Sequence, residues 1–446
     1  MRIQIETRTF PCKMKVIKYT DADFEAKFSA VLATSSLFDS EIEKRVLNIV
    51  EQVRLHGDQA LVDFAAQFDK VQLDATHLKV TVEEEVAAAL KTVIQPGVDS
   101  ALKEALKNIT SFAKKSLRKN WKSKNSHGAL VGEKYDPFKR VGIYVPAGKA
   151  PLASSALMTI SLAKVAGCKE IVVCSPCGKD GSLQPELLYA AVLAGATEVY
   201  RVGGAQAIAA MAYGTPTIGK VQKIFGPGNA YVVAAKRMLF GHVAVDLLPG
   251  PSEVLVIADS SANPAFIAAD ILAQAEHGSG KERVWLVSTS DKILEKVEKE
   301  ITRQLERADR KELLSEVLEK GTALILAKNI QHAVELANLL APEHCEVMTK
   351  EPGSVAEGIH TAGALMLGSY SPAVLGDYVA GPSHELPTGG AGVSFAGLTV
   401  DQFQRRTSLV EYTKENLKKT LPAVKKFASM EGLTAHGRSA ELRLED

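Results

Sequence analysis

The sequence predicts an α/β fold in which mostly parallel sheets are covered on both faces by helices. From Arg140 onward, short β-branched segments alternate with helical ones, which is the pattern of repeated strand–helix units. Several of these segments, such as Glu253–Ala258, are apolar after their first residue, as expected for strands buried on both faces. The chain has 446 residues, more than one hydrophobic core normally accommodates, so we expect at least two domains.

The composition predicts a cytoplasmic protein that has no nucleic-acid or membrane partner. Apolar residues make up 46% of the chain, charged residues 24%, and the formal net charge is +1, so no net attraction to nucleic acid or anionic membrane is expected. No apolar stretch has the length needed to span a bilayer, and the N-terminus lacks the apolar core of a signal peptide. Five cysteines, a small and odd number, suit a reducing compartment.

The first part of the chain is predicted to be helical after a short arm. Residues 1–37 have no long period, and we interpret them as an N-terminal arm. Apolar residues at helical spacing predict a helix that ends at Gly57, and Asp58 is a suitable cap for the next one. Thr81–Glu84 has the pattern of a capping box for a third helix. A long amphipathic helix is expected over Ser100–Leu117, followed by a basic, solvated loop.

The central part is predicted to alternate between strands and helices. The predicted strands are Arg140–Val145, Glu170–Val173, Val199–Val202, Ile224–Phe225, Glu253–Ala258, Val284–Val287, Ala323–Leu326 and Ala364–Leu367. The predicted helices include Ser154–Ala166, Glu186–Leu193, Asn229–Leu239, Asn263–His277 and Ile330–Leu340. The Gly- and Pro-rich stretch Ser371–Gly392 is expected to be a long functional loop. After Leu398 the chain is expected to be helical again, with helices near Lys414–Phe427 and Ala435–Leu442.

Two glycine-rich turns join a strand to the start of a helix, namely Gly203-Gly204 and Gly226-Pro227-Gly228-Asn229. Such turns direct backbone N–H groups at the positive end of a helix, which favours a phosphate. Neither matches the usual dinucleotide or P-loop pattern, and each alone is more often a plain turn. Two of them in one sheet favour a nucleotide across the carboxyl ends of the strands.

Polar residues near Gly or Pro breaks form a candidate metal and acid–base site. Gln274 and His277 lie on one helical face, where an amide oxygen and a ring nitrogen can reach one ion. The other residues at such breaks are Glu343, His344, Asp377, His384, Glu431 and His436. Nitrogen and oxygen ligands without a thiolate favour zinc in an open catalytic site. Histidines in helices are commonly structural, however, and spacing alone does not bring these residues together. The lone Cys174–Cys177 pair is interpreted as a strand-end turn rather than a redox or zinc element.

Nine separated motifs occur in the order that is typical of one enzyme family. They are Val141–Pro146, Gly203–Ala207, Phe225–Tyr231, Gly250–Val254, Gln274–Gly278, Ala341–His344, Leu375–Tyr378, Leu386–Gly390 and Glu431–His436. On these motifs the chain resembles the histidinol dehydrogenase family, from about Phe38 to Arg443.

The resemblance implies a role for each matching residue. One Zn²⁺ per subunit would be bound by Gln274, His277, Asp377 and His436. The acid–base pair would be Glu343 and His344. The NAD site would be lined by Tyr144, Gln206 and Asn229. The substrate would contact the zinc ligands and His344, and also Ser252, His384 and Glu431.

The resemblance also implies two incomplete Rossmann-like domains with small N- and C-terminal helical parts. Residues 38–143 and 253–397 would form a large discontinuous domain that carries the zinc and catalytic residues. Residues 144–252 would form the NAD domain. Residues 398–446 would be exchanged in a homodimer, so that Glu431 and His436 complete the active site of the neighbouring subunit.

The implied activity is the NAD-dependent, four-electron oxidation of L-histidinol through L-histidinaldehyde to L-histidine, the last step of histidine biosynthesis. One alternative is a related zinc- and NAD-dependent dehydrogenase of another small hydroxy compound. Another is a non-catalytic metal- or metabolite-binding protein on the same scaffold. The sequence departs from the family pattern at Pro146–Ala153, Ser279-Gly280 and Pro382-Ser383. Ser252 and Glu431 favour the first interpretation over the second, and Glu343-His344 argues against the third.

Overall fold

The computed structural model describes residues 14–33, 39–81, 85–87, 97–147, 152–277 and 279–445. Its strands are β1 (Lys15–Lys18), β2 (Trp121–Lys124), β3 (Leu130–Pro137), β4 (Arg140–Tyr144), β5 (Glu170–Ser175), β6 (Glu198–Arg201), β7 (Lys223–Phe225), β8 (Ala244–Val245), β9 (Glu253–Ala258), β10 (Arg283–Ser288), β11 (Thr322–Leu326), β12 (His344–Met348), β13 (Ala364–Leu367) and β14 (Gln404–Glu411). Residues 1–13 and 34–37 of the predicted arm, Val82–Glu84 of the predicted capping box and residues 148–151 of the predicted loop lie outside the described residues.

The described α-helices follow in the same order. They are α1 (Phe24–Leu32), α2 (Ser40–His56), α3 (Asp58–Phe64), α4 (Val98–Ser116), α5 (Ala153–Ala166), α6 (Pro185–Ala194), α7 (Gly204–Tyr213), α8 (Ala230–Leu239), α9 (Pro264–Ala275), α10 (Asp291–Leu305), α11 (Lys311–Lys320), α12 (Ile330–Leu340), α13 (Pro352–Ala356), α14 (Ala373–Tyr378), α15 (Lys414–Met430) and α16 (Thr434–Glu441). The predicted bounds of β9, β13 and α12 are confirmed. None of the described helices is long and apolar enough to cross a membrane.

The larger domain is built on a six-stranded sheet in the order β1-β11-β10-β9-β12-β13, with every pair parallel. Successive residues of β9 point to opposite faces. Val254 and Val256 pack in the core formed with α9, α10 and α11, whereas Leu255 and Ile257 pack in the core formed with α1 and α12. The predicted α/β fold with mostly parallel sheets covered on both faces is therefore confirmed.

The smaller domain is built on a five-stranded parallel sheet in the order β6-β5-β4-β7-β8. Helices α2, α3, α7 and α8 cover one face, and α4, α5 and α6 cover the other. Strand order reverses between β4 and β7, the position at which open α/β sheets bind ligands.

The packing divides the chain differently from the predicted domain bounds. Val46, Ile49 and Ile109, on α2 and α4, lie in the cores of the smaller domain, although residues 38–143 were assigned to the larger one. Conversely, β1 and Phe24 of α1, within the predicted arm, belong to the larger domain. An amphipathic pattern shows that a helix has a buried face, but it does not identify the sheet on which that face packs.

A third, antiparallel sheet has the order β14-β3-β2. Strand β14 corrects the prediction that the chain after Leu398 is helical. Its residues are exposed or only half-buried on both faces, so it lacks the alternating apolar pattern that predicts a strand. Helices α15 and α16 follow and pack against each other; the segment 404–445 is called the tail below.

Where the two domains meet, the smaller domain contributes the carboxyl edge of its sheet and the larger domain contributes the amino edge. Tyr144 and Gly226 stand at the carboxyl ends of β4 and β7. Glu253 and His344 are the first residues of the neighbouring strands β9 and β12, so they stand at the amino edge of the larger sheet. Ser155, near the start of the helix that follows β4, reaches His384 of the larger domain. The candidate site therefore lies between these two edges.

Candidate active site

The Glu343-His344 pair is positioned by an abrupt change from helix to strand. Helix α12 ends at Leu340, and Ala341 takes a left-handed conformation with φ of 45°. Pro342 follows, and it cannot continue a helix. Strand β12 then begins at His344. The turn directs both side chains into the interior, where Glu343 is 6% exposed and His344 2% exposed.

Glu343 is a buried carboxyl group with backbone and hydroxyl donors. Its Oε2 accepts a hydrogen bond of 2.8 Å from the backbone N of Glu253. The Ser252 hydroxyl also hydrogen-bonds to it, which helps to stabilise the ionised form. Burial raises the pKa of Glu343 to about 7, against the opposing charge of His344. A carboxyl group with this pKa can accept and release a proton near neutral pH.

His344 is oriented by two acceptors on opposite sides of its ring. Nδ1 lies 3.2 Å from the carbonyl oxygen of Glu253, and because a carbonyl only accepts, Nδ1 carries a hydrogen. Nε2 lies 3.5 Å from Oδ1 of Asp377. Burial lowers the pKa of His344, but the charges of Glu343 and Asp377 outweigh this effect and raise it to about 9.

Two of the expected metal ligands, His277 and Asp377, lie near this pair, and Gln274 lies one helical turn before His277. Gln274 is 4% exposed in the last turn of α9, and its Nε2 has no hydrogen-bond partner among the described residues. His277 follows the helix end with an exposed side chain, yet partial desolvation lowers its pKa while the charge of Asp377 opposes this. Burial opposes the ionisation of Asp377, but His344 lowers its pKa. Both groups therefore favour the forms that bind a cation, a neutral imidazole and a carboxylate.

The fourth expected ligand is not brought to this cluster within one chain. Glu431 and His436 are exposed on the tail. His436 lines a cavity of about 490 Å³ between α15 and α16, together with Tyr412 and Arg443. Within the described residues, no three His, Cys, Asp or Glu side chains are placed to hold a metal ion. Gln274 carries an amide and is not one of these four residue types.

His384 links the two domains. Its Nδ1 lies 3.0 Å from the backbone oxygen of Asp377, and its Nε2 lies 3.1 Å from the Ser155 hydroxyl. Burial lowers the pKa of His384, which favours the neutral ring. Ser252, the residue before β9, is half-buried beside Glu343. The structure therefore brings His384 and Ser252 to the same cluster as the acid–base pair.

The expected NAD residues lie at the carboxyl edge of the smaller sheet. The Tyr144 hydroxyl accepts a hydrogen bond of 3.1 Å from the backbone N of Gly204, and burial raises the pKa of Tyr144 to about 12. Gln206 is buried in the first turn of α7. Asn229 caps α8 by accepting from two backbone N–H groups. A side chain at Gly226, where φ is +108°, would lie 2.0 Å from the Tyr144 carbonyl oxygen, so only glycine fits there.

Several buried polar residues near these sites were not predicted. They are Ser155, Lys236, Asp246, Glu253 and Glu385. The sequence did contain a signal for two of them. Glu253 is a charged residue at the start of an apolar strand and Lys236 lies inside an apolar helix, and charges are seldom buried without a specific partner or function. Cys174 and Cys177 of the predicted turn are free thiols, and burial raises the pKa of both.

Comparisons with known proteins agree with the motifs. A family model described as histidinol dehydrogenase matches residues 32–444. A histidinol dehydrogenase of Geobacillus kaustophilus is 45% identical over 405 residues, covering 91% of this chain and 94% of the relative. One of Clostridium acetobutylicum is 41% identical over 432 residues, covering 97% and 99%. The crystal structure of histidinol dehydrogenase from Elizabethkingia anophelis superposes with a TM-score of 0.92 at 34% identity, covering 97% and 98%.

Proposed function

The chain belongs to the histidinol dehydrogenase family, and on this premise we propose that it oxidises L-histidinol through L-histidinaldehyde to L-histidine with NAD. This four-electron oxidation is the last step of histidine biosynthesis. The observation that carries the proposal is the buried Glu343-His344 pair, which lies beside Asp377, one of the expected zinc ligands. An acid–base pair of this kind suits the removal of protons from an alcohol and from water.

The residues of the larger domain fit a zinc ion. The Nε2 of the Gln274 amide is buried without a partner among the residues that the structure describes, and rotation of the amide by half a turn presents its oxygen instead of its nitrogen. His277 and Asp377 supply a ring nitrogen and a carboxylate, the donors that zinc accepts in catalytic sites. We propose Gln274, His277 and Asp377 as ligands in one subunit and His436 of the partner subunit as the fourth. Zinc, when bound, supplies a template that orients the imidazole and amino groups of the substrate.

His344 is the proposed base for the substrate hydroxyl. Its Nδ1 is engaged with the Glu253 carbonyl, so Nε2 is the nitrogen that takes the proton. Asp377 helps to raise the pKa of His344, and its carboxylate charge is neutralised when it serves as a ligand, which favours the basic form. A positioned base contributes about 10²–10⁴-fold to the rate.

Glu343 is the proposed base for the second oxidation. It removes a proton from water, which adds to the bound aldehyde, and the resulting hydrate is oxidised next. Burial keeps the pKa of Glu343 near neutrality, where a carboxyl group can accept this proton and pass it on. Tyr144, Gln206 and Asn229 are proposed to position NAD, which would supply the hydride acceptor for each oxidation.

We propose that the tail completes the site of a second subunit in a homodimer. Helices α15 and α16 bury only Ala428 and Gly437. Large apolar side chains remain exposed on the tail, at Val410, Phe427, Met430, Leu433 and Leu442. Such a surface is typical of a subunit contact. A symmetric exchange of tails would bring Glu431 and His436 to the partner's cluster.

The stoichiometry of NADH formation tests the proposed function. The zinc-loaded protein is mixed with limiting L-histidinol and excess NAD, and absorbance at the NADH band is followed to completion. Two NADH per histidinol are expected. One NADH per substrate would limit the activity to alcohol oxidation, and the absence of NADH with any alcohol would favour a non-catalytic binding protein.

A further inference from the structure

Glu253, the first residue of β9, is a buried carboxyl group without a role in the proposed chemistry. It is 2% exposed. Its Oε1 accepts a hydrogen bond of 3.0 Å from the backbone N of Gly389, and its Oε2 has no partner among the described residues. Burial of such a group carries a free-energy cost, so its presence at the head of an otherwise apolar strand calls for a specific function.

The backbone of Glu253 holds both members of the acid–base pair. Its N–H donates to Oε2 of Glu343 at 2.8 Å, and its carbonyl oxygen accepts from Nδ1 of His344 at 3.2 Å. One residue of β9 therefore sets the position of the Glu343 carboxylate and the orientation of the His344 ring. A displacement of this residue would move both groups together.

The side chain of Glu253 fixes the loop Leu386–Gly390 to the same segment. Gly389 donates to Glu253, and Gly250 in turn donates to the hydroxyl of Thr388, which is 4% exposed. Two hydrogen bonds in opposite directions thus join the loop to Gly250–Glu253. Both segments belong to motifs of the sequence, Gly250–Val254 and Leu386–Gly390. Within these two motifs, the proposed chemistry gives a role to Ser252 alone.

The environment of Glu253 favours its neutral form. Burial, and then the neighbouring charge of Glu343, raise the pKa of Glu253 to about 8. A neutral amide of the same shape can accept from Gly389 equally well.

We propose that Glu253 is a positioning residue for the acid–base pair. Its carboxyl group clamps the Leu386–Gly390 loop against the start of β9, and the backbone of Glu253 thereby holds Glu343 and His344 in reactive positions. The inference rests on the proposed function for its catalytic meaning, whereas the clamp itself is a property of the fold.

Turnover of two Glu253 variants tests the proposal. Glu253→Ala removes the clamp, and kcat should fall about 10–100-fold because small displacements of catalytic groups are costly; KM for histidinol and NAD should stay within about threefold. Glu253→Gln keeps the acceptor, and its kcat should stay within about threefold of wild type. Asp58→Ala is the matched control: it also removes a buried carboxyl group, bonded to Thr217 in the smaller domain, and should retain kcat.

Amide hydrogen exchange tests the clamp without turnover. Exchange in residues 386–393 should be faster in Glu253→Ala than in wild type, and unchanged in Asp58→Ala. If wild type does not oxidise histidinol while exchange responds as expected, the proposed function fails and the clamp stands. Thr388→Val weakens the same loop contact and should also lower kcat. It replaces Glu253→Ala as the test variant if Glu253→Ala does not fold.

Three results would overturn the proposal: a Glu253→Ala enzyme with wild-type kcat, a Glu253→Gln enzyme as impaired as Glu253→Ala, or unchanged exchange in residues 386–393. The second would show that the charge of Glu253, rather than the position it holds, is what the reaction needs.

Discussion

The two ring nitrogens of His384 are fixed by different domains. Nδ1 donates to the carbonyl oxygen of Asp377, which can only accept, so Nε2 of the neutral ring is the acceptor for the Ser155 hydroxyl. Ser155 lies on α5, directly after the loop that follows Tyr144. The Asp377 carbonyl of the larger domain thus sets the tautomer of His384, and Ser155 of the smaller domain helps to fix the orientation of this proposed substrate contact.

Replacement of Ser155 should therefore affect substrate binding more than chemistry. Ser155→Ala leaves Nε2 of His384 without its donor, and a lost hydrogen bond of this kind is worth about 0.5–1.5 kcal/mol. We expect KM for histidinol to rise roughly 3–10-fold with a smaller change in kcat. Ser161→Ala on the same helix is the control, since the buried Ser161 hydroxyl has no hydrogen-bond partner in the described part of the chain. An unchanged KM in Ser155→Ala would contradict the assignment.

At the scale of elements, a buried ion pair ties α8 to the turn at Gly226. The Lys236 ammonium is fully buried, pairs with Asp246, and donates to the carbonyl oxygens of Gly226 and Leu247 at 2.8 and 3.0 Å. Asp246 in turn accepts from the backbone N of Gly226 at 2.7 Å. The conformation of a proposed NAD turn thus depends on charges inside the domain.

Removal of one charge of this pair should destabilise the protein strongly. Lys236→Met leaves Asp246 buried and unpaired, which costs about 3–5 kcal/mol. We expect a lower midpoint of urea unfolding and a higher KM for NAD. The double variant Lys236→Met/Asp246→Asn, which removes both charges, should recover part of the stability. Equal stability of the single variant and wild type would show that the pair is not essential to the fold.

Prediction of the elements succeeded where local patterns are strong. The bounds of β9 follow from a continuous apolar run, and those of α12 from helical periodicity that stops at Pro342. The sequence does not predict β14, because its residues are mostly polar and exposed. It is a strand because it pairs with β3. The candidate site residues come from motifs. Glu253 has only its charge at the head of an apolar strand as a local signal, and Ser155 has none that distinguishes it from a structural residue.

At the scale of the whole molecule, buried carboxyl groups connect stability to pH. Burial raises the pKa of both Glu253 and Glu385 to about 8. The folded chain therefore holds these protons at pH values where the unfolded chain has released them. The stabilisation is fully present below the ordinary carboxyl pKa of about 4.5 and is lost as pH rises through about 8.

The variant Glu385→Gln tests this dependence. It removes the ionisation while keeping the shape of the side chain. At pH 9 the variant should be more stable than wild type by about 1–3 kcal/mol, since one unit of pKa corresponds to about 1.4 kcal/mol. Near pH 5 the two proteins should unfold at similar urea concentrations. Parallel stability curves between pH 5 and pH 9 would exclude a contribution from Glu385.

Exchange of tails between subunits predicts complementation. His344→Asn removes a base from the body of the subunit, and His436→Ala removes a ligand from its tail, so each homodimer should be inactive. A randomly mixed sample should recover roughly a quarter of wild-type activity, because half of the dimers are mixed and each has one intact shared site. A mixture of His344→Asn with Glu343→Gln should recover none, since both changes lie in the body. Absence of recovery in verified mixed dimers would contradict shared sites.

The sequence alone determined the α/β class, the order of most elements, the glycine turns and the candidate residues, because these follow from local periodicity and from contiguous motifs. Only the tertiary structure decided which sheet α2 and α4 cover, that β14 pairs with β3, and that one residue of β9 holds both Glu343 and His344. These features depend on contacts between distant positions; Glu253 and Glu343 are 90 residues apart. Long-range packing leaves no periodic trace in the chain, so its outcome has to be read from the fold.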